Sequence, residues 1–151
     1  MGKDTDLVKL YSGRILELAS DIPLLGRLEN PDASAKRRSP LCGSTVTVDL
    51  MLNHDQVVDF RQEVKACALG QAAAAVLGQS VIGRTETELV AARDQLRAML
   101  KQGGPVPAAP FSEFEVLRPA VEFKNRHASI LLALEATVEA MQTVAKMSNS
   151  H

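Results

Sequence analysis

The chain has no tryptophan, one tyrosine and four phenylalanines. Aromatic rings therefore cannot fill its interior, and the core has to be aliphatic and alanine-rich, so its helices can pack closely. It has only two cysteines, Cys42 and Cys67, and no secretion signal opens it. That excludes a disulfide scaffold and points to a reducing compartment, where thiols ligate metals or react. There is no long basic block and the net charge is −1, so nothing suggests an electrostatic nucleic-acid partner; the short run Lys36-Arg37-Arg38 reads as a solvated strand or loop. No apolar stretch approaches the roughly 20 residues of a membrane span. No Ser-His-Asp order, glycine-rich phosphate loop or HExxH pair is present, which leaves hydrolase and nucleotide chemistry without support. The expectation is a cytoplasmic protein of one domain over residues 1–151, frayed at 1–4 and 147–151.

What is present begins with a hairpin. From Gly43 to Leu52 the chain alternates, with Val46, Val48, Leu50 and Leu52 on one face and Thr45, Thr47, Asp49 and Met51 on the other, the pattern of a half-buried strand. Val58, Phe60, Gln62, Val64 and Ala66 share a face in a second run. Between the runs His54-Asp55 suits a two-residue turn, which pairs Asn53 with Gln56 and, carried back along both strands, sets Cys42 opposite Cys67. Ala33–Arg38 reads as a third, short strand. Apolar spacing predicts a helix over residues 4–19, capped by Asp4 or Thr5. A small-residue helix follows Cys67, and another runs from the Thr85/Glu88 capping box to Gly103. Beyond an extended proline-rich loop, Pro119 opens a long helix to about residue 146.

The two cysteines are the chemical signal. Cys67 precedes a helix, whose exposed amides and dipole favour thiolate over thiol. Cys42 sits in Pro40-Leu41-Cys42-Gly43-Ser44, a turn that exposes backbone amides. His127, near the start of the last helix, is the third candidate ligand; His54 lies at the far end of the hairpin and His151 in the tail. Two thiols are not a complete metal site, since zinc takes four ligands. Both cysteines also have a bland reading as small buried hydrophobes, and a cross-hairpin disulfide, hence a redox sensor, is compatible with the spacing of paired strands.

Tyr11, Pro40-Leu41-Cys42-Gly43, the hairpin, Lys65-Ala66-Cys67 ahead of a small-residue helix, and Arg126-His127-Ala128-Ser129-Ile130-Leu131 together resemble the U-type iron–sulfur cluster scaffolds: IscU, SufU and the N-terminal domain of NifU. The likeness runs from about residue 8 to 145. It implies an α+β fold in which a small three-stranded antiparallel sheet packs against an N-terminal helix and several C-terminal helices. It implies a non-enzymatic role: holding a labile iron–sulfur cluster, iron or zinc, with a cysteine desulfurase and apo iron–sulfur proteins as partners. The ligand set so implied is Cys42, Cys67 and His127, with Ser44 standing at the family's aspartate position and Ala128 at its third cysteine. Any sulfur relay would place a persulfide on Cys42 or Cys67. The alternative on the same fold is a docking module or relay partner of the desulfurase that carries no metal.

Overall fold

The computed structural model describes residues 11–40 and 43–149, the last three by their backbone only. The architecture is the expected α+β one. Strands β1 (Ala33–Arg38), β2 (Thr45–Asn53) and β3 (Gln56–Lys65) form one antiparallel sheet in the order β1-β2-β3. The β2–β3 turn is His54-Asp55, both at positive φ (52° and 65°), the geometry whose twist matches that of the strands it joins.

The hairpin register differs from simple alternation in one respect. Asn53 pairs with Gln56 and Leu52 with Val57, but Met51 then pairs with Asp59, which leaves Val58 as the extra residue of a β-bulge. As a result Val57 is fully buried and Val58 is 49% exposed, reversing the face expected for Val58. Beyond the bulge Thr45 pairs with Lys65, so the register carried back sets Gly43, rather than Cys42, opposite Cys67. Cys42 itself lies outside the described residues.

Helix α1 (Gly13–Ala19) starts after Ser12, whose hydroxyl accepts from the Ile15 amide. The chain is non-helical at Tyr11-Ser12, so the longer helix expected over 4–19 is broken there, and its proposed caps Asp4 and Thr5 fall outside the described residues. Helix α2 (Ala68–Ser80) is buried continuously from Ala72 to Gly78. An element apolar all round belongs in the centre of a fold. Helix α3 (Glu86–Gln102) has the expected capping box between Thr85 and Glu88 and ends on left-handed Gly103.

The last helix opens later than Pro119. Residues Ser112–Glu122 and Lys124–Arg126 wind as 3₁₀ turns interrupted at Phe123 (φ −103°, ψ 70°), and α4 runs His127–Asn149. Pro119 lacks the amide an α-helical ladder needs, so the stretch around it winds more tightly. An 18-residue window within Lys124–Lys146 has a mean hydropathy of 1.2, so this helix is long and apolar enough to cross a membrane by length and composition alone. Its burial explains the composition: Ile130 to Leu134, Ala136, Val138, Ala140 and Met141 all lie in the core.

One charged side chain is buried where alternation had put it in solvent. Asp49, on the sheet face opposite Val48 and Leu50, is fully buried because residues 24–32 cross that face. The crossing starts at the β3 edge, where the Gln62 amide donates to the Leu24 carbonyl and the Gly26 amide to the Gln62 carbonyl, both at 2.9 Å. Asp49 then accepts from Arg27 Nε (2.7 Å) and Nη2 (3.1 Å), the Leu28 amide (2.9 Å) and Ser34 Oγ (2.5 Å). Burial pushes the Asp49 carboxyl up, but Arg27, Ser34 and the Leu28 amide together outweigh it and hold it below the usual carboxylate value. A depressed folded pKa contributes stability that is complete above the unfolded value near 4 and fades as pH falls through the folded one. Asp49→Ala is expected to cost about 2–3 kcal/mol, since the Leu28 amide and Ser34 hydroxyl lose their acceptor. In urea titrations across pH 3–7 the gap between wild type and Asp49→Ala should narrow towards acid; a gap independent of pH would remove the ionised carboxylate from the account.

Candidate functional site

Three segments meet at the end of the sheet away from the His54-Asp55 turn. The first is the β1–β2 connection, whose ends are pinned by the Ser39 amide donating to the Ser44 carbonyl (2.8 Å) and the Gly43 amide donating to the Ser39 carbonyl (3.0 Å). Gly43 holds φ 68° there, a left-handed conformation that favours glycine. The second is the β3–α2 junction, and the third the 3₁₀ turn before α4. They enclose an open cavity of about 420 Å³ lined by Gly43 and Ser44, by Lys65 to Cys67, and by Asn125 and Arg126. Of the three ligands expected from the sequence, Cys67 lines this cavity, His127 follows the 3₁₀ turn as the first residue of α4, and Cys42 lies outside the described residues.

Cys67 is the N-cap residue of α2 (φ −67°, ψ 170°), partly buried with a free thiol. Its side chain closes no capping hydrogen bond, yet the first-turn amides face the sulfur. Burial pushes the thiol up; the Gly70 amide, the Ser129 hydroxyl, the Leu69 amide and the Arg126 charge pull it down by more, leaving it below the ordinary thiol value. The sequence expectation of a thiolate-prone Cys67 rested on the helix terminus alone. Ser129 and Arg126 add to it.

Ser129 is the residue that sequence reasoning passed over. Fully buried, it places Oγ 3.6 Å from Cys67 Sγ and 3.1 Å from Ser44 Oγ, linking α2, β2 and α4 through one hydroxyl. Its only signal in the chain is a lone polar residue in the apolar run Ala128 to Ala133. Ser44, also buried, lines the cavity with its hydroxyl engaged by Ser129.

The ring of His127 is buried, and Nε2 lies 2.8 Å from the Ala120 carbonyl. A carbonyl only accepts, so Nε2 carries a proton and donates it. A histidine tied to backbone in this way is the usual form of a metal-bound imidazole. His127 does not itself line the cavity, which its neighbours Asn125 and Arg126 do. Among the described residues no three of His, Cys, Asp and Glu gather as a metal-holding group.

The approach of α4 to α2 depends on Gly70. A Cβ there would stand 2.7 Å from Ser129 Oγ and 2.8 Å from Ala66 Cβ. Gly70→Ala should therefore destabilise by about 1–3 kcal/mol, as overpacking does, and a denaturant midpoint equal to wild type would show that α4 gives way freely. Alkylation of Cys67 by iodoacetamide, followed on its tryptic peptide, should reach half-maximal rate below the about pH 8.5 of a free thiol. Arg126→Ala should move that midpoint upward, because a cation beside a thiol favours the ionised form; an unmoved midpoint would leave the charge of Arg126 without effect on the sulfur.

Known proteins share this fold. The family model of the NifU-like N terminal domain matches residues 10–128. The solved structure of a NifU-like protein (N-terminal) from Brucella abortus is 44% identical and superposes with a TM-score of 0.92, covering 93% of this chain and 98% of that one. An iron–sulfur cluster assembly scaffold protein IscU of Streptococcus pyogenes is 26% identical over 118 residues, 78% of this chain and 73% of the relative. A SUF-system scaffold structure from Fervidobacterium islandicum, 22% identical, covers 89% of this chain and 98% of that one at a TM-score of 0.78, which speaks for the fold alone. With the family model matching residues 10–128 and a 44% identical structure superposing over 93% of the chain, the chain belongs to the NifU-like N-terminal domain family.

Proposed function

We propose that this protein is an iron–sulfur cluster assembly scaffold, with Cys42, Cys67 and His127 holding a labile cluster, its iron, or zinc. It acts as a carrier and not as a catalyst, receiving sulfur from a cysteine desulfurase and passing cargo to apo-proteins. The observation that supports this reading is the cavity at Cys67, a thiol disposed to ionise, whose other lining includes Gly43, which follows Cys42 in the chain, and Arg126, which precedes His127. Two soft thiolates and an imidazole are ligands that iron–sulfur clusters and zinc accept. Relatives named as IscU scaffolds support the role.

Reduced apo-protein incubated anaerobically with ferrous iron and sulfide should develop visible charge-transfer absorption and retain iron through gel filtration. Cys67→Ser should abolish both, and His127→Ala should weaken retention while also lowering the melting temperature of the apo-protein, since it empties a buried ring position and leaves the Ala120 carbonyl without its donor. Metal bound by thiolates displaces protons, so retention should fall as pH drops below the thiol range. Iron retention equal in wild type and Cys67→Ser would sink the ligand assignment.

A second reading has one observation behind it: no three ligand-type residues gather among the described ones. On that reading the same end of the sheet docks a desulfurase or a sulfur-relay partner without carrying metal. Failure of wild type to hold iron, a cluster or zinc under reducing conditions selects it.

A further inference from the structure

Positive charge collects at the Cys67 end of the sheet and finds no partner there. Elsewhere arginines are ion-paired, Arg14 with Glu113, Arg84 with Glu88 and Arg97 with Glu135. Among the described residues Lys36, Arg38, Lys65, Lys124 and Arg126 form no ion pair with a carboxylate. The strand register shows how three of them lie. Arg38 pairs with Thr45 and Thr45 with Lys65, and the next row on the same face is Lys36, Thr47 and Glu63. That face is turned away from the core, which Val46 and Val48 enter from the other side of β2. Neighbouring strands lie about 4.8 Å apart and alternate residues of a strand about 6.7 Å, so the three Cα atoms stand within about 12 Å of one another. Glu63, the acidic member of the second row, lies 3.7 Å from Arg27. Lys65 also lines the cavity with Cys67 and Arg126, and Lys124 is exposed close by in the chain. Guarding the β1 edge against strand addition accounts for Lys36 and Arg38, but not for Lys65 on β3 or for Lys124 and Arg126 ahead of α4. Like charges gathered on one face repel, and no carboxylate among the described residues offsets that cost.

We propose that this strip of the outer sheet face, from Lys36 and Arg38 across Thr45 to Lys65, docks an extended acidic segment of a partner protein. Carboxylates on alternate residues of an extended chain repeat at about the 6.7 Å that separates Lys36 from Arg38. Thr45 and Thr47 offer hydroxyls between the cations. The segment that crosses this face reaches Asp49 and Glu63 through Arg27 and leaves Lys36, Arg38 and Lys65 exposed. Nucleic acid fits the strip less well, because it holds no aromatic ring on which a base could stack. The chain as a whole carries a net charge of −1, so a long polyanion is not attracted beyond the strip. A short acidic segment senses only the charges within a Debye length of about 8 Å. A lipid surface fits less well too, since none of the large exposed apolar side chains lies in the strip to insert below the headgroups. Docking here brings the neighbouring residues of the partner to the mouth of the Cys67 cavity, because Lys65 belongs to both. The proposal stands on the charge distribution and holds whether or not Cys67 carries metal.

The test is fluorescence anisotropy of the reduced, metal-free, full-length protein with a short labelled peptide of alternating Glu and Ser. Wild type should bind it at about 20 mM salt and more weakly at about 200 mM, where screening is stronger. The same peptide with Gln in place of Glu should not bind. The double variant Lys36→Thr and Arg38→Thr should weaken binding about tenfold and Lys65→Thr about threefold, as the loss of exposed charge pairs implies. All three side chains are exposed, so these variants keep the fold. Asn53→Glu with Gln56→Glu changes the net charge as much as the double variant does, but at the turn end of the same sheet, and should leave affinity within about twofold of wild type. Absence of peptide binding by wild type, or equal weakening by the turn-end variant, overturns the proposal. Tighter binding of oligothymidylate, or of phosphatidylglycerol vesicles, than of the peptide at equal charge concentration overturns it in favour of a nucleic acid or a lipid surface. Every arm omits metal, so none of these outcomes touches the scaffold reading.

Discussion

The site depends on how closely two helices approach. At Gly70, in the first turn of α2, there is no room for even a methyl group, because Ser129 of α4 occupies the space. That proximity brings the Ser129 hydroxyl against Cys67, and through Ser44 ties both helices to the sheet. A chain rich in alanine and poor in aromatic rings makes such an approach feasible, since the separation of packed helices follows the size of the side chains between them. The same composition that looked like a mere shortage of large residues thus determines where the thiol ends up and what surrounds it.

A second constraint works on the other face of the sheet. The carboxylate of Asp49 gathers Arg27, the Leu28 amide and Ser34, and so fastens a connection of little regular structure across β2. The residues on the two faces of that strand do different work. Val46, Val48 and Leu50 enter the core beneath the helices, while Asp49 anchors the crossing segment, and each half of the arrangement leaves the other undisturbed.

Much of the fold was readable in the chain because its signals are local. The three strands, the His54-Asp55 turn, the Thr85/Glu88 capping box and the glycine stop at Gly103 each depend on a few neighbouring residues. The features that escaped have their causes elsewhere. Alternation could not reveal the extra residue at Val58, because a bulge preserves the composition of the strand and changes only its pairing. Asp49 looked solvent-facing because nothing near it in sequence announces that residues 24–32 lie over it. The late start of α4 reflects the 3₁₀ winding around Pro119, which shares apolar spacing with a true helix. At the site, Cys67 and the neighbourhood of His127 were legible from residue type and from the family resemblance. Ser129 and the cationic lining were not, since an ordinary serine, lysine and arginine acquire their roles only once three distant segments meet.

The bridges along β3 have a bearing on how this molecule meets others. The outer edge of that strand is occupied at Gln62 by Leu25 and at Val57 by Gly83 and Arg84, so it offers no uninterrupted row of amides and carbonyls to an incoming strand. The opposite edge is the six-residue β1, whose Lys36, Arg37 and Arg38 put three successive positive charges in the way of strand addition. A sheet guarded on both sides does not grow by recruiting a neighbour's backbone. Contact with other molecules is thereby left to side chains and loops, such as those at the end of the sheet where Cys67 lies.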